Sequence, residues 1–133
     1  MKLTTRAGNA LMCVAMGTAL TGACAERSPT APSSGAVVTF AVGSETFRVA
    51  LTTEDQVAAA VAAQSGGPAR IPTGRIMRGA QVNGGWSWHL VDVTFAEVTI
   101  ELCDGRPSDV EREGVQFGGG RFCPWNATVI RID

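Results

Sequence analysis

Beyond residue 35 the chain alternates apolar and polar positions in several short stretches, and helix-start signals interrupt that alternation twice. Ala36 to Val42 (A-V-V-T-F-A-V) is rich in β-branched residues and ends at Gly43-Ser44, after which Thr46 to Leu51 alternates cleanly. The short link predicts a hairpin. Thr53-Glu54-Asp55-Gln56 has the capping-box pattern and opens onto V-A-A-A-V-A-A-Q, so a helix of about three turns is expected to end before Ser65-Gly66-Gly67-Pro68. A third strand is expected within Arg70 to Ala80, bounded by Gly74 and Gly79.

Asn83-Gly84-Gly85 signals the next turn. In Trp86-Ser87-Trp88-His89-Leu90 the alternation puts both tryptophans and Leu90 on one face and Ser87 with His89 on the other. From Thr94 to Leu102 it returns, with Ala96, Val98, Ile100 and Leu102 on one side and Glu97, Thr99, Glu101 and Cys103 on the other; this is the clearest strand pattern in the chain. Ser108-Asp109-Val110-Glu111 is a second capping box, predicting a short helix that stops by Gly114. The glycines at 118 to 120 read as a flexible connection, followed by a last strand near Ala127 to Ile132. This order predicts an α+β fold: a mainly antiparallel sheet, one main helix, a short second helix and one disulfide.

The first 35 residues have a different character. Lys2 and Arg6 precede an uncharged, mostly apolar run from Leu11 to Ala23. A helix of that length reaches about 20 Å, short of a bilayer's hydrocarbon core, so the run reads as the apolar part of a secretory signal over residues 1–23. Leu20-Thr21-Gly22-Ala23-Cys24 resembles a lipobox, with Cys24 as the lipidation site, although Thr21 stands where leucine is usual. The competing reading takes Ala23-Cys24-Ala25 as an ordinary cleavage site and releases a chain starting at Glu26. The Pro/Ser-rich tether over residues 24–36 favours the lipid-anchored reading, because such a spacer holds a domain off a membrane surface. A single domain is then expected over 37–133. The expected location is the cell envelope, as a membrane-anchored lipoprotein, with a soluble periplasmic or secreted form as the alternative.

Charge narrows the classes of partner. Lys2 is the only lysine, the net charge is −1, and the arginines of the folded part are scattered. No basic stripe suits nucleic acid. Of four cysteines, Cys13 lies in the leader and Cys24 in the tether, leaving Cys103 and Cys123 to join in an exported domain. The rival is a zinc site of Cys103, Cys123, His89 and Asp104, which has no C-x-x-C spacing. No metal and no cofactor is expected: the glycine run lacks the lysine and Ser/Thr of a phosphate loop, and no dinucleotide fingerprint is present.

W-S-W-H-L at Trp86 to Leu90, E-L-C-D-G-R-P-S-D-V-E at Glu101 to Glu111 and G-G-R-F-C-P-W at Gly119 to Trp125, with F-R-V-A-L-T before the first helix, together resemble a small secreted-domain family. Its members include bacterial exported proteins and the N-terminal domain of a slime-mould protein, and some carry a calmodulin-binding label. The resemblance covers Val37 to Asp133 and implies a disulfide-bearing domain without an established enzymatic activity. The calmodulin label does not suit these residues, because a calmodulin target needs a basic amphipathic helix with large apolar anchors, whereas the first helix is alanine-rich with acids at its start.

Three functions remain as expectations. The first is a non-enzymatic binding or structural module for a protein or carbohydrate ligand, with its surface where His89, Asp104, Arg121 and Trp125 converge near the disulfide. Trp86, Trp88 and Trp125 offer a platform for a sugar or a peptide, although two tryptophans on one strand face read as core. The second is a small hydrolase or metal-dependent enzyme built on His89, Glu97 and Glu101. Its two glutamates stand about 13 Å apart along a strand, wide of the carboxylate spacing of glycosidases, and the lone histidine reads more readily as a structural one. The third is an inhibitor or effector presenting Gly114 to Gly120 as a rigid exposed loop.

Overall fold

The computed structural model describes residues 35–133, so the signal, Cys24 and nearly all of the tether lie outside the described residues. Within that span six strands form two three-stranded antiparallel sheets. β1 (Ala36–Val42) and β2 (Glu45–Leu51) make the expected hairpin, and β6 (Thr128–Ile132) pairs with the other side of β1. β3 (Ile71–Arg78) is the centre of the second sheet, between β4 (Trp88–Ala96) and the two-residue β5 (Arg121–Phe122). Two helices complete the α+β fold: α1 (Glu54–Gln64) and α2 (Pro107–Glu113).

The alternation of the first hairpin produces the core directly. Val38, Phe40 and Val42 on β1 and Phe47, Val49 and Leu51 on β2 are all buried. Phe47 stacks on Phe40 with ring centroids 5.1 Å apart and meets Phe122 edge-on at 5.3 Å and Trp88 at 6.1 Å, so one phenylalanine joins the two sheets. Trp88 is fully in the core. Trp86 precedes β4 instead of lying on it; it packs half-buried against the core, and its indole N–H donates to the Thr46 carbonyl at 2.8 Å.

Thr53 caps α1 as its sequence predicts: its hydroxyl accepts the Gln56 N–H while the Gln56 side-chain carbonyl accepts the Thr53 N–H. The Gln56 amide also donates to the Val93 carbonyl at 2.8 Å, tying the start of α1 to β4. α2 starts differently from its sequence reading. Pro107 occupies its first turn, where a missing N–H costs nothing, and Asp109 accepts the Arg106 N–H at 2.9 Å. Ser108 is therefore inside the helix; its N–H and hydroxyl both donate to the Glu45 carboxylate, at 2.8 and 2.7 Å.

The strand predicted over Thr94 to Leu102 is replaced by an earlier one. Between Thr73 and Arg75 the β3–β4 register shifts, two residues of β3 spanning three of β4, which is a β-bulge around Asp92 (φ 52°). The bulge reverses the facing of the strand, so that Leu90 and Val93, three apart, are both buried. β4 then ends at Ala96, opposite Ile71, the first residue of β3, because there is no further strand to pair with. Residues 97–100 leave the sheet, and Val98, Ile100 and Leu102 are 82, 63 and 66 % exposed.

Candidate functional site

The chain leaving β4 turns through a short 3-10 segment, Glu101–Cys103, and the Cys103–Cys123 disulfide fastens it to the chain leaving β5, with Cα atoms 5.1 Å apart. The Cys123 N–H donates to the Cys103 carbonyl at 2.8 Å, a second tie at the same crossing. Behind it lies the segment Gly114–Gly119, which folds as 3-10 turns and sends Phe117 into the core. A Cβ on Gly118 would stand 2.7 Å from the Cys103 Cα, so this glycine lets the backbone press against the disulfide. The glycine run is thus packed, not the flexible connection expected of it, and the candidate inhibitory loop does not project.

This frame holds Trp125. Pro124 before it is buried. The Asp104 carboxylate accepts the Trp125 backbone N–H at 2.8 Å as well as the Gly105 N–H at 2.9 Å. The Trp125 indole N–H donates to the Thr99 hydroxyl at 2.6 Å. Held by its backbone, its indole nitrogen and the neighbouring disulfide, the side chain is nonetheless 40 % exposed. It lines an open groove of about 700 Å³. One wall is Glu97, Val98 and Thr99; another is the end of α1 and the chain to Ile71, including Gln64 and Arg70; Asn126 and the start of β6 complete it. Among the described residues, the side chains of Gln64, Arg70, Glu97, Asn126 and Thr128 make no hydrogen bond or ion pair with one another or with the rest of the fold. A second groove, of about 510 Å³, lies between the β1–β2 turn and the start of α2, beside Asp104, Arg106 and Asp109.

Of the four residues expected to converge, Asp104 and Trp125 are joined directly. Arg121 sits exposed on β5 opposite Arg75. His89 is 8 % exposed in the middle of β4, and its Nδ1–H donates to the Gly79 carbonyl at 2.6 Å. Neither shares a hydrogen bond with Asp104 or Trp125 among the described residues. The residues of the hydrolase reading are also apart in role: His89 serves the β3–β4 connection, Glu97 lines the groove, and Glu101 is in the 3-10 segment. Glu97 and Glu101 do not share a strand face, since the strand ends before both. No group of three or more His, Cys, Asp or Glu side chains suited to a metal ion occurs among the described residues.

Thr99, Arg70, Gln64 and Asn126 were invisible as site residues in the sequence. Thr99 reads as one polar position of a strand, and the others fall in turn-forming stretches without a motif. The one available signal was the tryptophan after the second disulfide cysteine, a large aromatic in a short exposed turn.

Among the described residues, no helix is long and apolar enough to cross a membrane. Compared with known families, residues 34–133 match the model described as the BP-74 N-terminal domain. No curated protein and no solved structure matches the chain.

Proposed function

The chain belongs to the family of this N-terminal domain, and we propose that its folded part is a non-enzymatic binding module whose ligand surface is the groove beside Trp125. The observation that carries this reading is Trp125 itself. A large aromatic ring that is fixed by two hydrogen bonds and a neighbouring disulfide, yet open to solvent, loses little conformational freedom when a ligand covers it. Aromatic residues of this kind dominate binding surfaces because they bring large apolar area together with rigid geometry. The polar side chains around it have hydrogen-bonding capacity not committed within the domain.

The module is exported and held at a membrane by a lipid on Cys24. That part of the reading rests on the positive start, the short apolar run, the small residues before Cys24 and the Pro/Ser tether. It places the groove outside the cytoplasm, where the Cys103–Cys123 disulfide persists.

Two measurements test the two parts separately. The mass of the N-terminal peptide from membranes distinguishes an acylated Cys24 from a plain start at Glu26, and the second result removes the anchor. For the groove, the full chain is used to retain ligands from envelope extracts, beside Trp125→Ala and Thr99→Val. Loss of retention in both variants with unchanged circular dichroism is expected. Full retention by both folded variants would move the binding surface elsewhere.

A further inference from the structure

Resting on the groove as the binding site, we infer that its ligand is a neutral carbohydrate, with one sugar ring stacked on Trp125. The first reason is the state of the ring. Its N–H is held by the Thr99 hydroxyl, so the indole is not seeking a polar partner at its edge, and what it offers a ligand is apolar aromatic surface. A pyranose presents a matching patch of C–H groups on one face while its hydroxyls project around the rim.

The second reason is the composition of the rim. Each sugar hydroxyl donates one hydrogen bond and accepts others, so a site that reads hydroxyls needs both kinds of group close together. Gln64 and Asn126 each supply a donor and an acceptor from one planar amide, Thr128 a hydroxyl, Arg70 donors and Glu97 acceptors. None of these side chains is engaged by another described residue.

The third reason is charge. Arg70 and Glu97 both line the groove, and among the described residues neither has an ion-pair partner. An anionic ligand is attracted by Arg70 and repelled by Glu97; a cationic ligand meets the reverse. A neutral, polyhydroxylated ligand uses both side chains as hydrogen-bonding groups, and bonds to charged partners are the stronger kind. Size agrees: about 700 Å³ lies within the usual range of small-ligand sites, and the open shape admits a chain that continues beyond both ends.

The test uses the full chain with the Cys103–Cys123 bond intact and three probes: a β-1,4-linked N-acetylglucosamine tetramer, a β-1,4-linked glucose tetramer, and a heparin tetramer as the anionic control. Calorimetry gives affinity, and tryptophan fluorescence reports whether the exposed indole is covered. At least one neutral tetramer is expected to bind, heparin is not, and Trp125→Ala is expected to lower affinity by about tenfold or more. Glu97→Gln and Arg70→Gln, which leave Trp125 in place, are expected to weaken binding without changing the fluorescence shift at saturation. A library of neutral glycans without a ligand, beside a peptide library giving Trp125-dependent binders, would overturn the carbohydrate and leave the groove as a binding site. Neither library giving a Trp125-dependent ligand, in a protein whose circular dichroism is unchanged, would overturn both readings. Glycan binding that survives Trp125→Ala would overturn the site.

Discussion

The side-chain carbonyl of Asn83 accepts the backbone N–H of Arg48 at 2.8 Å, across 35 residues of chain. The same amide donates to the Trp88 carbonyl at 2.9 Å, and Asn83 is completely buried. One side chain therefore joins β2 of the first sheet to β4 of the second beside the Phe47–Trp88 contact. Asn83→Ala leaves a buried donor and a buried acceptor without partners, and a loss of about 2–3 kcal/mol is expected in urea unfolding. Asn83→Asp keeps the acceptor but removes the donor and buries a charge, so it is expected to cost at least as much. A change below about 0.5 kcal/mol in both variants would mean that water replaces the amide.

The disulfide is expected to matter twice. Closing a loop with a separation of 20 residues stabilises by about 3 kcal/mol in the chain-entropy account. Cys103→Ala with Cys123→Ala is expected to lower stability by an amount of that order. It also releases the crossing that carries Thr99 on one chain and Trp125 on the other. Amide exchange at residues 99–104 and 123–126 is therefore expected to rise more than at β1 and β2. Uniform acceleration across the domain would show that the groove is held without the bridge.

Local signals made part of this fold readable in the sequence. The β1–β2 hairpin follows from alternation on both sides of Gly43-Ser44, and α1 from Thr53 and Gln56, which satisfy each other within a single turn. The pairing of Cys103 with Cys123 followed from their being the two cysteines in the folded part. The features that escaped depend on long-range pairing. Alternation from Thr94 to Leu102 describes a strand only while a neighbour is present, and β3 starts at Ile71, opposite Ala96. Asp92 gives no local warning of a bulge, yet that bulge decides which side of β4 is inside. The site was half readable for the same reason. Asp104 and Trp125 lie close in sequence to the two cysteines, whereas Thr99 and Arg70 reach the groove through the ends of β4 and β3.

Gly74 shows what the bulge requires of its partner strand. A Cβ there would stand 3.0 Å from the Leu90 Cβ and 3.2 Å from both the Val91 carbonyl oxygen and a Val93 methyl. Two of these are backbone or its first side-chain atom, so little can move. Gly74→Ala is expected to destabilise by about 1–3 kcal/mol through overpacking. Gly43→Asn is the contrasting case: the turn has φ +62° and open space around the Cβ, and asparagine tolerates that conformation. Its expected effect in thermal unfolding is well below that of Gly74→Ala; equal losses would sink the overpacking account.

Asp109 links stability to pH at the start of α2. The Arg106 backbone N–H donates to its carboxylate at 2.9 Å and the Arg112 guanidinium at 2.8 Å. The first bond above all, with Arg112 adding to it against a smaller opposing effect of burial, holds the carboxyl below its ordinary value of 3.8. The folded state then binds fewer protons than the unfolded chain between the depressed value and the ordinary one, so stability rises with pH across that window. The contribution is complete above about pH 4 and is lost as pH falls through the folded-state value. Asp109→Asn keeps an acceptor for the Arg106 N–H and removes the charge. It is expected to be less stable than the parent at about pH 6 and to show a shallower acid limb, so that the two urea midpoints converge toward about pH 2. Midpoints that stay equally far apart across that range would mean that Asp109 titrates alike in the folded and unfolded chains.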